Sequence, residues 1–122
     1  MALGLAAFFV PRGFYDAVAT FPPFNDHFLR DIGSFYLPLG VVMVIAAGRR
    51  GWRVPVLAFA VGHHALHTLS HLIDAEDAEE AHVGVLTVVG IFALTVLFAW
   101  LLRAALAERR EHDLRRRERL EA

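Results

Sequence analysis

The sequence predicts an all-α integral membrane protein, a helix bundle with three full spans, a shorter apolar helix before them and a charged helical extension after them. The chain has 122 residues, of which 57% are hydrophobic and 20% charged. A soluble domain is about half apolar and about a quarter charged. Much of the charge follows Leu102, so the remaining body is too apolar for a water-soluble fold.

Three apolar segments account for the predicted spans. They cover residues 32–47, 54–73 and 83–102. A helix rises 1.5 Å per residue and the hydrocarbon core is about 30 Å thick, so about twenty residues cross it. The second and third segments have that length, and the third carries no charge. The first is shorter, and it gains a turn from Arg30 and Asp31 at the level of the lipid headgroups.

The N-terminal apolar segment is too short for a full span. Residues 2–10 precede Pro11, and as a helix they would reach about half-way across a bilayer. They lack the basic region of a signal peptide, and no A-x-A cleavage site follows. Two interpretations are open. The segment is a short or tilted helix, or it is the end of a full span whose start codon lies upstream. The second is favoured.

The charges of the connecting loops all predict one topology. Residues 48–53 contain three arginines and no acid, whereas residues 74–82 contain five acids and no arginine or lysine. The segment from Arg103 has seven arginines and five acids. Because cytoplasmic loops are enriched in basic residues, we expect a multi-pass protein of the cell membrane whose C-terminus is cytoplasmic. The chain then divides into a membrane bundle, 1–103, and a cytoplasmic helical tail, 104–122. The acids interleaved in that tail argue against nucleic-acid binding.

Four histidines share one face of the second span. They lie in the stretch GHHALHTLSHLID, from Gly62 to Asp74. At about 100° per residue, they form one stripe with Ser70 and Asp74, and leucines occupy the opposite face. Polar groups inside a membrane are costly and normally face the bundle interior. The stripe consists of His63, His64, His67 and His71.

A second polar group leads into the first span. The stretch FPPFNDHFLRDIGS places His27, Arg30, Asp31 and Ser34 on one helical face, and His82 opens the last span at the same end. We expect Arg30 to pair with Asp31 or Asp74. The candidate metal ligands are therefore His63, His64, His67, His71, His27 and His82, with Asp31, Asp74 and Arg30 as alternative ligands or as groups that orient the rings.

These motifs carry a resemblance. PRGFYD (Pro11–Asp16), FNDHFLRD (Phe24–Asp31) and a histidine-rich span ending in SHLID (Ser70–Asp74) resemble a group of small, uncharacterised actinobacterial integral membrane proteins. The resemblance covers most of Pro11 to Leu102. It implies four spans, with the Asn-acid-His-x-x-Arg-Asp motif before the second, and it implies no activity. The short N-terminal segment departs from that pattern.

The histidines leave three functions open. Imidazoles at i,i+4, such as His67 and His71, can bind one transition-metal ion, and a bis-histidine haem is the variant with a large cofactor. The alternative is a non-catalytic accessory subunit of a larger membrane complex, or a homo-oligomer, in which the histidines are structural. The third is a proton relay or a small transporter. The chain has no cysteine, no nucleophile elbow and no glycine-rich phosphate loop, so an enzyme is the less favoured class and the question stays open.

Overall fold

The computed structural model describes residues 1–19, 22–74 and 81–121, with only the backbone for 81–84. Within these ranges the chain is helical and has no strand. The helices are α1 (Ala2–Phe9), α2 (Pro11–Ala17), α3 (Asp26–Gly48), α4 (Arg50–Ile73) and α5 (Ala81–Glu121). Three of them, α3, α4 and α5, are long and apolar enough to cross a membrane. The prediction of an all-α protein with membrane-type helices is confirmed to this extent.

Helix α3 begins one and a half turns before its apolar segment. The side chain of Asn25 caps it, because its Oδ1 accepts a hydrogen bond from the Phe28 backbone N–H at 3.1 Å. Such a cap satisfies one of the four N–H groups that lack partners at a helix start. Only Arg49, in an extended conformation, separates α3 from α4. The chain therefore reverses within a very short turn.

Glycines allow α1 to lie directly against the backbone of α3. A Cβ added at Gly33 would be 2.6 Å from the Phe8 backbone nitrogen, and one at Gly40 would be 2.6 Å from that of Met1. On the other side of the contact, a Cβ at Gly4 would be 2.7 Å from the α3 backbone. Small residues let membrane helices approach this closely. The N-terminal segment is thus a short helix antiparallel to α3.

Helix α4 lies between its neighbours and sets their register. It contacts α3 and α5, whereas those two make no contact with each other within the described ranges. The Thr68 and Thr95 hydroxyls lie 3.3 Å apart, and Arg53 bonds Glu108 at 3.0 Å. Both pairs align α5 antiparallel to α4.

This register shifts the apolar part of α5 along α4. Residues 89–108 lie beside residues 54–73, whereas the hydropathy pattern predicts a span at 83–102. The difference is about six residues, or about 9 Å along the helix. The helix continues without interruption to Glu121, so the charged C-terminal segment extends the same rod.

Candidate histidine site

Helix α4 separates its histidines from its leucines. All four histidines are partly buried. On the opposite face Leu66 is 69% exposed and Ile73 is 72% exposed. The structure thus places the four histidines on the more covered face of this helix, whereas Ser70 and Asp74, which were predicted to share their stripe, are exposed.

His63 is held against α3 by a hydrogen bond and by aromatic rings. Its Nε2 lies 2.8 Å from the Tyr36 hydroxyl. The Phe35 ring centroid is 5.2 Å away and that of Phe59 is 6.2 Å away, the latter ring stacked parallel. One ring nitrogen of His63 is therefore engaged in joining α3 to α4.

His64 turns toward α5. Its Nδ1 donates to the Ala60 carbonyl oxygen at 2.9 Å, and its ring lies 4.9 Å from that of Phe98. The Thr68 hydroxyl donates to the His64 carbonyl oxygen at 2.8 Å and faces the Thr95 hydroxyl. His64 and Thr68 thus form the polar part of the α4–α5 contact, and Thr68 is buried.

His67 and His71 extend the row toward the Ile73 end of the helix. The His63 and His67 ring centroids are 5.8 Å apart, and those of His67 and His71 are 4.8 Å apart. Among the described residues neither ring nitrogen of His67 makes a hydrogen bond. No side-chain nitrogen or oxygen that is fully buried among the described residues lacks a hydrogen-bond partner, so the ring nitrogens of this partly buried residue are open to solvent. His67 is the member of the row best placed to take a ligand.

The row lies on the face of α4 between α3 and α5, and we call this face the histidine groove. His63 faces α3 and His64 faces α5, and at about 100° per residue His67 points between them. Ala60 shares nearly the same face two turns earlier and is 0% exposed. This face of α4 is therefore fully covered at Ala60 and only partly covered toward the Ile73 end of the helix.

The polar residues near the start of α3 do not join this row as a metal cluster. His27 lies 3.6 Å from Asp31 one turn along, and the side chains are 85% and 65% exposed. Arg30 pairs with Asp26 at 3.5 Å, so the expected pairing with Asp31 or Asp74 is wrong. Asp74 is exposed and accepts a hydrogen bond from Ser70 at 3.4 Å.

No group of three or more histidine, aspartate or glutamate side chains that could hold a metal ion occurs among the described residues. The side chain of His82 lies outside them. Of the predicted ligands, the structure therefore brings together the four on α4, and it engages one nitrogen of His63 and one of His64 in bonds to the protein.

Sequence reasoning missed three residues of the site, namely Tyr36, Thr68 and Thr95. Tyr36 is the only tyrosine in any of the three apolar segments, and this was the available signal. Thr68 lies about 140° around the helix from His63, so the histidine stripe does not include it. The structure explains its place, since that edge of α4 faces α5.

No family model, no curated protein and no solved structure matches this chain. The resemblance based on PRGFYD, FNDHFLRD and SHLID therefore stays a prediction. The function is argued from the histidine groove itself.

Proposed function

We propose that the chain is a multi-pass protein of the cell membrane, with the Arg49 turn and the C-terminal tail in the cytoplasm. The arginines of this turn support that orientation. So does the Arg53–Glu108 ion pair, because it holds the first part of the tail beside the same turn. The exposed leucine face of α4 would then contact lipid, and the histidine groove would open toward the outer surface.

Within that membrane, we propose that the groove binds a transition-metal ion and that His67 and His71 are its chelating pair. One observation carries this proposal: His67, whose ring nitrogens make no hydrogen bond among the described residues, lies one turn from His71 with the ring centroids 4.8 Å apart. Two imidazoles at this spacing can bind one ion, and imidazole suits Zn, Cu, Ni and Fe. Water, His82 or a second copy of the chain would supply the remaining ligands.

The neighbouring residues support this assignment. Tyr36 holds His63, and His63 stacks against His67 at 29° between the ring planes. This stacking limits the rotation of the His67 ring, as happens to metal ligands that adjacent groups orient. A haem is a poorer candidate, because its two axial histidines must face each other from opposite sides. The four described rings of the groove all project from one helix.

Metal titration of the purified protein tests the proposal. The protein is prepared in detergent with an affinity tag that contains no histidine, and Zn²⁺, Ni²⁺ and Cu²⁺ are titrated calorimetrically. We expect one site per chain, weakened at least roughly 100-fold in His67→Ala and in His71→Ala, since loss of a supporting residue alone costs 10–100-fold. His27→Ala and His112→Ala are matched controls, because both rings lie outside the groove and are exposed.

Two outcomes would contradict metal binding at this pair. One is an unchanged affinity in both groove variants, and the other is an equal loss in the control variants. The second candidate function, an accessory subunit with structural histidines, would then be favoured. His63 and His64 support it, because each already bonds a protein atom on the face that a neighbouring helix covers. Its signature would be co-purification with a membrane partner that His63→Ala disrupts.

A proton relay across the whole membrane has less support. The row of imidazoles reaches from His71 to His63 and Tyr36. Beyond it, toward the cytoplasmic end, the same face of α4 carries Ala60 and Val56, which are buried and apolar. A relay would require a polar path through this part of the bundle.

A further inference from the structure

At the end of α4 opposite the histidine opening, a cleft lies between the first turn of α4 and the C-terminal part of α5. It encloses about 400 Å³. Buried Ala105 lets the two helices approach, and the Arg53–Glu108 bond crosses between them. Its ionisable lining residues are Arg50, Arg53, Glu108, Arg109, His112 and Asp113.

The lining of the cleft has three arginines and two carboxylates, an excess of one positive charge with His112 neutral. Arg53 bonds Glu108 at 3.0 Å, and Asp113 lies 3.9 Å from His112. Arg50 and Arg109 form no ion pair with any residue of the described chain. Two arginines therefore line one cavity without a carboxylate partner.

The start of α4 adds a favourable field for an anion. Its N-cap residue, Arg49, makes no side-chain cap hydrogen bond, and its first turn contains no acid. The N-terminus of a helix presents backbone N–H groups and a partial positive charge to an anion. Gly51 lines the cleft, and there is open space where its Cβ would be.

From these observations we propose that the cleft binds the phosphate group of an anionic membrane lipid. The guanidinium group of arginine binds phosphate oxygens with two parallel hydrogen bonds. The lipid is the source that the position favours, because the cleft lies at the end of the apolar part of α4. Trp52 lies on the α3 side of α4 at the level of the cleft and is 46% exposed, and tryptophan is the type of residue that marks the level of the headgroups.

This site is separate from the histidine groove and does not depend on metal binding. It is tested by native mass spectrometry of the full chain in detergent, titrated with phosphatidylglycerol or with phosphatidylcholine. The test variant is Arg50→Gln with Arg109→Gln. The matched control is Arg116→Gln with Arg119→Gln, which removes the same charge from exposed tail positions that do not line the cleft. Helix content by circular dichroism verifies that both variants are folded.

We expect phosphatidylglycerol to bind one site in preference to phosphatidylcholine. Each arginine near an anionic headgroup contributes roughly fivefold in affinity, so the test variant should bind phosphatidylglycerol roughly 30-fold more weakly. The control should bind it as the parent does. Equal weakening in both variants would overturn the proposal, as would unchanged binding in the test variant. Displacement of phosphatidylglycerol by millimolar inorganic phosphate would also overturn it, because the site would then take phosphate from solution.

Discussion

Close contact between α1 and α3 predicts that Gly33→Ala will release α1. The added Cβ would stand 2.6 Å from the Phe8 nitrogen and 2.7 Å from the Phe8 Cβ. Optimal separation of such atoms is about 3.5–4.0 Å, so the helices must separate by about 1 Å. Overpacking of this kind costs about 1–3 kcal/mol. The atoms in conflict are backbone and Cβ atoms, which cannot rotate away.

Gly62→Ala is the matched control, because a Cβ at Gly62 meets nothing within 4 Å. Alanine is the better helix former by about 1 kcal/mol, and Gly62→Ala should therefore be neutral or stabilising. Hydrogen exchange of the α1 amides, followed by mass spectrometry in detergent, measures the difference. A cost of about 1–3 kcal/mol corresponds to about 5- to 150-fold faster exchange in Gly33→Ala. Equal exchange of α1 in the two variants would refute the close contact.

Two hydrogen-bonded pairs give further predictions. Tyr36→Phe should lower the free energy of unfolding in SDS-containing mixed micelles by about 0.6 kcal/mol and at most about 1.7, the range for interhelical hydrogen bonds in membranes. In a double-mutant cycle with His63→Ala, additive effects would contradict the Tyr36–His63 bond. Arg53→Gln and Glu108→Gln should show a coupling of about 0.2–1 kcal/mol, because their side chains are 32% and 58% exposed. That coupling should fall in 1 M salt, and a salt-independent value would argue against an exposed ion pair.

The sequence was sufficient for the elements whose cause lies within one segment. Length and apolar composition predict α3, α4 and α5, because crossing a membrane requires about twenty apolar residues. Helical periodicity likewise predicts the face shared by His63 and His67. The helical face of His27 and Ser34 likewise predicts that α3 begins before its apolar segment, and the capping bond of Asn25 marks that start at Asp26.

The contacts between segments could not be predicted in the same way. The helical repeat places His63 on a face of α4, but it does not say that α3 covers that face with Tyr36. The register of α5 depends on Thr95 and Glu108 meeting their partners on α4, and hydropathy alone gave a different alignment. Arg30 is a different case, because its partner Asp26 lies four residues earlier on the same helix, and this i,i+4 spacing was visible in the sequence.

The histidine rings also occupy space between α3 and α5, so loss of metal binding in an alanine variant has two candidate causes. Ala60 and His67 share nearly the same face of α4, and the helix is fully covered at Ala60 but only partly covered at His67. An alanine at position 67 would therefore remove the ligand nitrogens and also let α3 and α5 move inward. His67→Phe separates the two effects, because phenylalanine retains a ring and has no nitrogen. If nitrogen ligation causes binding, His67→Phe must lose the metal as completely as His67→Ala does. If His67→Phe retains it, the shape of the groove is responsible and His67 is not a ligand.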